Sequence, residues 1–351
     1  MTQATPCRKS RLGNLAAIAA ATWLASASPS LAADASLIAA AKKEGSVVWY
    51  TSMIIDQLVR PVAEAFEKAY GVRIDYVRTD QTEIVLRLIN EARAGALKGD
   101  VFDGIGNVPA IKREGLAMKW LPDIAKQMPP QYVDPEGYWV ATNFFAMTPG
   151  FNTELVPRGT EPRTLKDLLE PKWRGKMAWA SNPTATSAPG FIGVALTELG
   201  ETDGMAYLRQ LAGQKITGLK VSARQVLDQV IAGEYAIALQ IFNNHPGISA
   251  AKGAPVDWIP MAPGLSVLQV AGVTKDAPHP NAGKLLIDFL LSDRGQMIFR
   301  DADYLPVSSA IAPKDPSLKP DGKNFRAVFF TSEQLDAVMP KWVKVYEDLF
   351  R

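Results

Sequence analysis

The sequence predicts a two-lobed α/β protein, each lobe a mainly parallel sheet flanked by helices, with hinge strands joining the lobes. Three observations predict it. Short β-rich apolar runs alternate with amphipathic helical stretches. The alternation begins again in the middle third of the chain. Strands of the first kind return near the end, so the chain must cross between lobes more than once.

Residues 46–51, SVVWYT, form a short apolar run of the kind buried on both faces of a parallel sheet. Leu58, Val62, Phe66 and Tyr70 then recur every fourth residue and Gly71 supplies the stop, which predicts an amphipathic helix. A strand over 72–77, a helix carrying Ile84, Leu88 and Ala92 up to Gly95, and a strand over 101–105 complete the first set. At this spacing successive strands pair in parallel through right-handed crossovers. Thr164 and Asp167 have the spacing of a capping box. A strand over 177–180, a polar loop over 181–187, a helix to Leu199 and another over 205–211 follow. Ser222 is placed to cap a helix stopped by Gly233. Residues 235–241 and 267–273 read as strands, and Leu285, Leu286, Phe289 and Leu290 mark a helix. The crossings are expected around 139–142 and 304–307. The resulting lobes are 33–142 with 261–305, and 143–260 with 306–351.

Arg8, Lys9 and Arg11 precede an uncharged stretch over 12–33, and Ser30-Leu31-Ala32 offers small residues at a cleavage site. That is the layout of a secretory signal peptide over 1–32, which places the mature protein in the periplasm. Ser, Thr, Asn and Pro dilute the stretch, which argues against a membrane anchor. The single cysteine, Cys7, lies in the leader, so the remaining 319 residues have no disulfide or thiolate chemistry. Taking three leader cations from 38 leaves 35 Lys and Arg against 36 Asp and Glu. With no basic surplus and no run of Lys or Arg, neither nucleic acid nor a membrane surface is an expected partner.

The chain resembles the periplasmic solute-binding proteins of ABC importers, in the ferric-ion-binding-like branch of the type II periplasmic binding fold. Val47-Val48-Trp49-Tyr50-Thr51-Ser52, Gly99-Asp100-Val101-Phe102-Asp103, Pro171-Lys172-Trp173-Arg174-Gly175-Lys176, Gly233-Glu234-Tyr235-Ala236 and Tyr304-Leu305-Pro306-Val307 carry the resemblance by their joint order. It implies a monomer that closes on a small solute and hands it to an inner-membrane permease, with no cofactor. The iron-binding members place two adjacent tyrosines where this chain has Asn243 and Asn244. Phenolates suit Fe(III) and neutral carboxamides do not. The expected cargo is therefore a small organic anion, carboxylate or phosphonate; ferric ion with a synergistic anion is the alternative.

Ligands of open α/β sheets sit beyond the carboxyl ends of strands. That rule selects Thr51, Ser52 and Met53, then Thr82, then Asn107 in the first lobe. In the second it selects Ser181, Thr184, Thr186, Ser187 and Ala188, then Arg224, Asn243 and Asn244. Tyr304 is expected to wall the pocket. The hydroxyls of 184–187 precede a helix whose first N–H groups suit an anion, although Thr and Ser also serve as plain caps. The resemblance adds that related proteins bind an anion at the position matching Ser187 and Ala188. Arg224 can pair bidentately with a carboxylate or phosphonate. Two histidines, and no nucleophile elbow, zinc motif or phosphate loop, point away from an enzyme.

Overall fold

A computed structural model of the protein describes residues 34–320 and 325–351. The predicted leader, 1–32, lies outside the described residues. The chain runs through α1 (Ala35–Glu44), β1 (Ser46–Thr51), α2 (Arg60–Tyr70), β2 (Arg73–Arg78), α3 (Gln81–Arg93), β3 (Val101–Gly104) and α4 (Val108–Arg113). The long strand β4 (Val140–Asn152) leads to β5 (Met177–Ala180), α5 (Ala188–Leu199), α6 (Glu201–Ala212), β6 (Thr217–Leu219), α7 (Ala223–Ile231), β7 (Ile237–Phe242), α8 (Asn244–Ala250) and β8 (Val256–Trp258). The second long strand, β9 (Gly264–Val273), precedes α9 (Pro280–Leu291), α10 (Asp293–Asp301), β10 (Leu305–Pro306), β11 (Ala327–Phe330) and α11 (Ser332–Phe350).

The strands form one hydrogen-bonded path, β2-β1-β3-β9-β4-β7-β5-β6. Both ends of it are parallel, β1 with β2 and β3, and β5 with β6 and β7. The middle is antiparallel, because β9 pairs with β3 and β4, and β4 with β7. This mixed α/β architecture is that of the two-lobed type II periplasmic binding fold. The inner parallel strands β1, β3, β5 and β7 are mostly buried, whereas the edge strands β2 and β6 are largely open to solvent. Local chemistry matches the sequence signals. Ser222 and Gln225 form a reciprocal capping box at α7. Asp167 Oδ2 accepts from Thr164 N–H at 2.9 Å, and Thr164 Oγ1 accepts from Asp167 N–H at 3.2 Å.

Two hydrophobic cores lie along this path. The first is built on Trp49, Phe66, Phe102, Trp139 and Phe289, the second on Trp179, Phe191, Leu208, Ile237 and Trp342. Core membership changes inside the two long strands, between Ala146 and Met147 in β4 and between Val267 and Leu268 in β9. Residues 304–307 do not make the second crossing. Leu305 and Pro306 pair with Phe144 and Asn143, and Tyr304, Leu305 and Val307 all pack in the first core. The crossing falls to β9, whose ten residues are all buried and pair with β3 at one end and β11 at the other.

Candidate functional site

The register brings the carboxyl ends of both parallel sets to this junction. Trp49 and Tyr50 lie beside Val101 and Phe102, so Thr51 and Asp103 come level and Ser52 follows one residue on. Gly104 pairs with Val270, which carries β3 toward the Val267/Leu268 changeover in β9. From the other side, β7 ends with Phe242 against Met147, at the changeover in β4. The two ends therefore point at each other.

On the first-core side, Asp103 is 1% exposed. Its Oδ1 accepts from Ser52 N–H at 2.9 Å, Ser52 Oγ at 3.1 Å and Gln269 Nε2 at 2.7 Å. Burial pushes its carboxyl up to about 6, while the neighbouring Thr51, Ser52 and Trp49 hydrogen-bonding groups pull it down. Thr51 is buried and accepts from Met53 N–H through Oγ1 at 3.1 Å; Met53 is buried too. Asn107 donates through Nδ2 to the Asp103 carbonyl at 2.9 Å and makes no cap bond at α4. A Cβ at 104 would stand 2.0 Å from Asn107 Oδ1, so glycine there leaves room for the Asn107 side chain in its present position.

An aromatic chain crosses the junction. The rings of Tyr304 and Phe145 lie 5.5 Å apart, Phe145 and Phe242 4.7 Å, and Phe242 and His245 5.1 Å. Burial raises the Tyr304 hydroxyl to about 12, and the Asp103 charge adds to the rise. His245 is lowered to about 4, first by burial and then by the Arg224 charge. Arg224 also pairs with Asp228 at 2.8 Å.

On the second-core side the 184–187 turn gathers its hydroxyls. Thr184 Oγ1 lies 3.2 Å from Thr186 Oγ1 and 3.0 Å from Ser187 Oγ. Ser187 is the N-cap of α5, yet its side chain caps nothing, and the buried Ala188 opens the helix. The turn is held onto β7, since Gln240 Nε2 donates to the Ala185 carbonyl at 3.4 Å. It also lies tight on α5, where a Cβ at Gly190 would meet the Ala185 oxygen at 1.8 Å.

Other predicted residues stand differently. Asn243 Nδ2 donates to the Leu318 carbonyl and Asn244 Nδ2 to the Asp303 carbonyl, each at 2.8 Å. These carboxamides fasten backbone. Thr82 is exposed in the first turn of α3, and Ser181 bonds through its N–H to Leu219. Neither shares a hydrogen bond with another candidate among the described residues. Beside Thr82, Gln81 Oε1 accepts from Ile105 N–H and Gly106 N–H, both at 2.9 Å, and ties α3 to the end of β3. Sequence reasoning missed Gln269. Gln269 lies inside an apolar strand run, and that single polar interruption was the available signal.

Known proteins align with this arrangement. An Fe(3+)-binding periplasmic protein of Serratia marcescens is 25% identical over 325 residues, 89% of this chain and 90% of its own. A Salmonella typhimurium periplasmic protein, whose name assigns it provisionally to 2-aminoethylphosphonate, is 26% identical over 80% of each chain. Actinobacillus pleuropneumoniae AfuA, solved with exogenous fructose-6-phosphate, superposes with a TM-score of 0.70 at 20% identity, covering 86% of this chain and 99% of its own. The profile of bacterial extracellular solute-binding proteins matches residues 101–328, and the chain belongs to that family, the periplasmic solute-binding proteins of ABC transporters.

Proposed function

We propose that the chain captures a small organic anion, of the carboxylate or phosphonate type, and delivers it to the permease of an ABC importer. The observation that carries this reading is the hydroxyl cluster of Thr184, Thr186 and Ser187 at the start of α5, with Ser187 Oγ free of capping duty. The first N–H groups of a helix lack internal partners, and with hydroxyls around them they suit an anion. Arg224, in the first turn of α7, supplies positive charge. The Salmonella relative's name points to a phosphonate as well.

In this reading residues 1–32 are removed on export, the mature monomer works in the periplasm, and it carries out no catalysis. The lobes, which part inside β4 at 146/147 and inside β9 at 267/268, close by bending of those two strands. Ligand then shifts the population to the closed form in proportion to its preference for that form. The Serratia relative's name favours ferric ion instead. The donor set argues otherwise, since the carboxamides at 243 and 244 are neutral and already bound to carbonyls.

Titration calorimetry with 2-aminoethylphosphonate, phosphoethanolamine, β-alanine and citrate tests the reading. Saturable binding of one of them is expected, weakened about tenfold or more in Ser187→Ala by loss of a charge-assisted hydrogen bond. A stoichiometric visible absorbance band on adding ferric citrate would replace this reading with iron capture.

A further inference from the structure

The first-core side of the junction is built to accept hydrogen bonds. Gln269 Nε2 gives hydrogens to Asp103 Oδ1 at 2.7 Å and Ser52 Oγ at 3.1 Å. That fixes which way the carboxamide faces, and among the described residues its Oε1 accepts nothing. Asn107 is locked in the same sense, with Nδ2 on the Asp103 carbonyl and its buried Oδ1 unpartnered over the end of β3. Asp103 Oδ2 is buried and makes no hydrogen bond of full geometry, although Thr51 and Trp49 stand near enough to lower the carboxyl. Among the described residues no Lys or Arg side chain hydrogen-bonds any of these atoms.

Two buried acceptors, Asn107 Oδ1 and Asp103 Oδ2, thus stand unpartnered beside Gln269, and the buried unpartnered donors near them, Trp49 Nε1 and Asn143 Nδ2, carry no charge to offset that of Asp103. A buried unmet acceptor costs about 1–3 kcal/mol, so such a group calls for a donor-rich visitor. A primary ammonium has three donors and no acceptor, whereas an anionic group placed here would be repelled by Asp103. The opposite pole, at 184–187, offers hydroxyls and helix N–H groups and suits only an acceptor.

We infer that the solute is a zwitterion, with its anionic group at the Thr184–Ser187 turn and a primary ammonium at Asp103, Asn107 and Gln269. The inference rests on the anion reading above and adds the second charge. Asp103 serves both as counter-charge and as the group that orients Gln269 and Ser52.

Calorimetry on the exported protein with matched pairs tests it: 2-aminoethylphosphonate against ethylphosphonate, phosphoethanolamine against ethyl phosphate, β-alanine against propionate. The amino member of at least one pair is expected to bind tenfold or more tighter than its partner. Asp103→Asn and Asn107→Ala are each expected to shrink that ratio at least threefold. A purely structural role would weaken both members alike and leave the ratio standing. Equal or tighter binding of the deamino members overturns the zwitterion and leaves the anion reading intact. Failure of every anion to bind removes both readings.

Discussion

Asn244 at the start of α8 donates through Nδ2 to the carbonyl of Asp303 at 2.8 Å, and this bond joins the two cores. Asn244 follows β7, whose side chains fill the second core, while Asp303 precedes Tyr304 and β10 in the first. Its neighbour Asn243 makes the equivalent bond to Leu318 from a position 1% exposed. Paired carboxamides thus hold the corner of the junction where the resemblance led us to expect a ligand.

Asn243→Ala is therefore expected to cost stability. It leaves the Leu318 carbonyl without its partner and opens a small void, about 1–3 kcal/mol together. Urea unfolding followed by tryptophan fluorescence reads it. An unchanged midpoint would show that the bond carries no net stability.

Asp103 and His245 set opposing pH dependences. Asp103 is raised from 3.8 to about 6, so between those values the folded chain binds more protons than the unfolded one. Its contribution is complete below pH 3.8 and lost as pH rises through 6. His245 is lowered from 6.5 to about 4, so there the unfolded chain takes up the proton first. That contribution is present above pH 6.5 and lost as pH falls through 4. Relative to the unmodified protein, Asp103→Asn should steepen the loss of stability on acidification from pH 6 to 4.5, and His245→Gln should soften it. Denaturant midpoints across that range decide, and parallel curves for all three proteins would refute the assignment.

Much of the scaffold was legible because local rules and burial agreed. The run 46–51, the Gly71 and Gly233 stops and the Ser222 cap all do in the structure what their sequence says. The second crossing was not legible, because β9 looks like any buried strand. Only its pairing, β3 at one end and β11 at the other, shows that it spans both cores. Tyr304–Val307 misled because a short edge segment has the same composition as a crossing. For the candidate site, strand-end reasoning named Ser52, Asn107 and the 184–187 turn, which lie at strand ends in the structure. It could not reach Gln269, since β9 arrives antiparallel and contributes from its middle. Nor could it tell that Asn243 and Asn244 are occupied by carbonyls over 50 residues away in sequence.

The charge at Arg224 is expected to act on ligand and on His245 together. Arg224→Met keeps the apolar stem and removes the guanidinium, which also frees Asp228 from its ion pair. That pair is solvent-exposed, and such pairs contribute about 0–1 kcal/mol, so stability should hardly move. Anion affinity should fall, and more at low ionic strength than at high. Salt-independent loss of affinity would mean that Arg224 acts through shape and not charge.

Gly190→Ala tests whether the 184–187 turn must sit where it does. A methyl group there would stand 1.8 Å from the Ala185 carbonyl oxygen and 2.9 Å from Gln240 Nε2. The first contact is backbone, which cannot swing aside as a side chain would, so the turn has to lift from α5. The hydroxyl cluster moves with it, because Thr184 and Ser187 flank Ala185. Alanine is the better helix former by about 1 kcal/mol, so propensity alone predicts a gain. Gly247 in α8 isolates that gain, since a Cβ there meets nothing within 4 Å. Gly247→Ala should raise the melting temperature slightly and leave the affinity for the bound anion alone. Gly190→Ala should lower both the melting temperature and, by tenfold or more, that affinity. If Gly190→Ala binds as the unmodified chain does, the anion is not held by the turn.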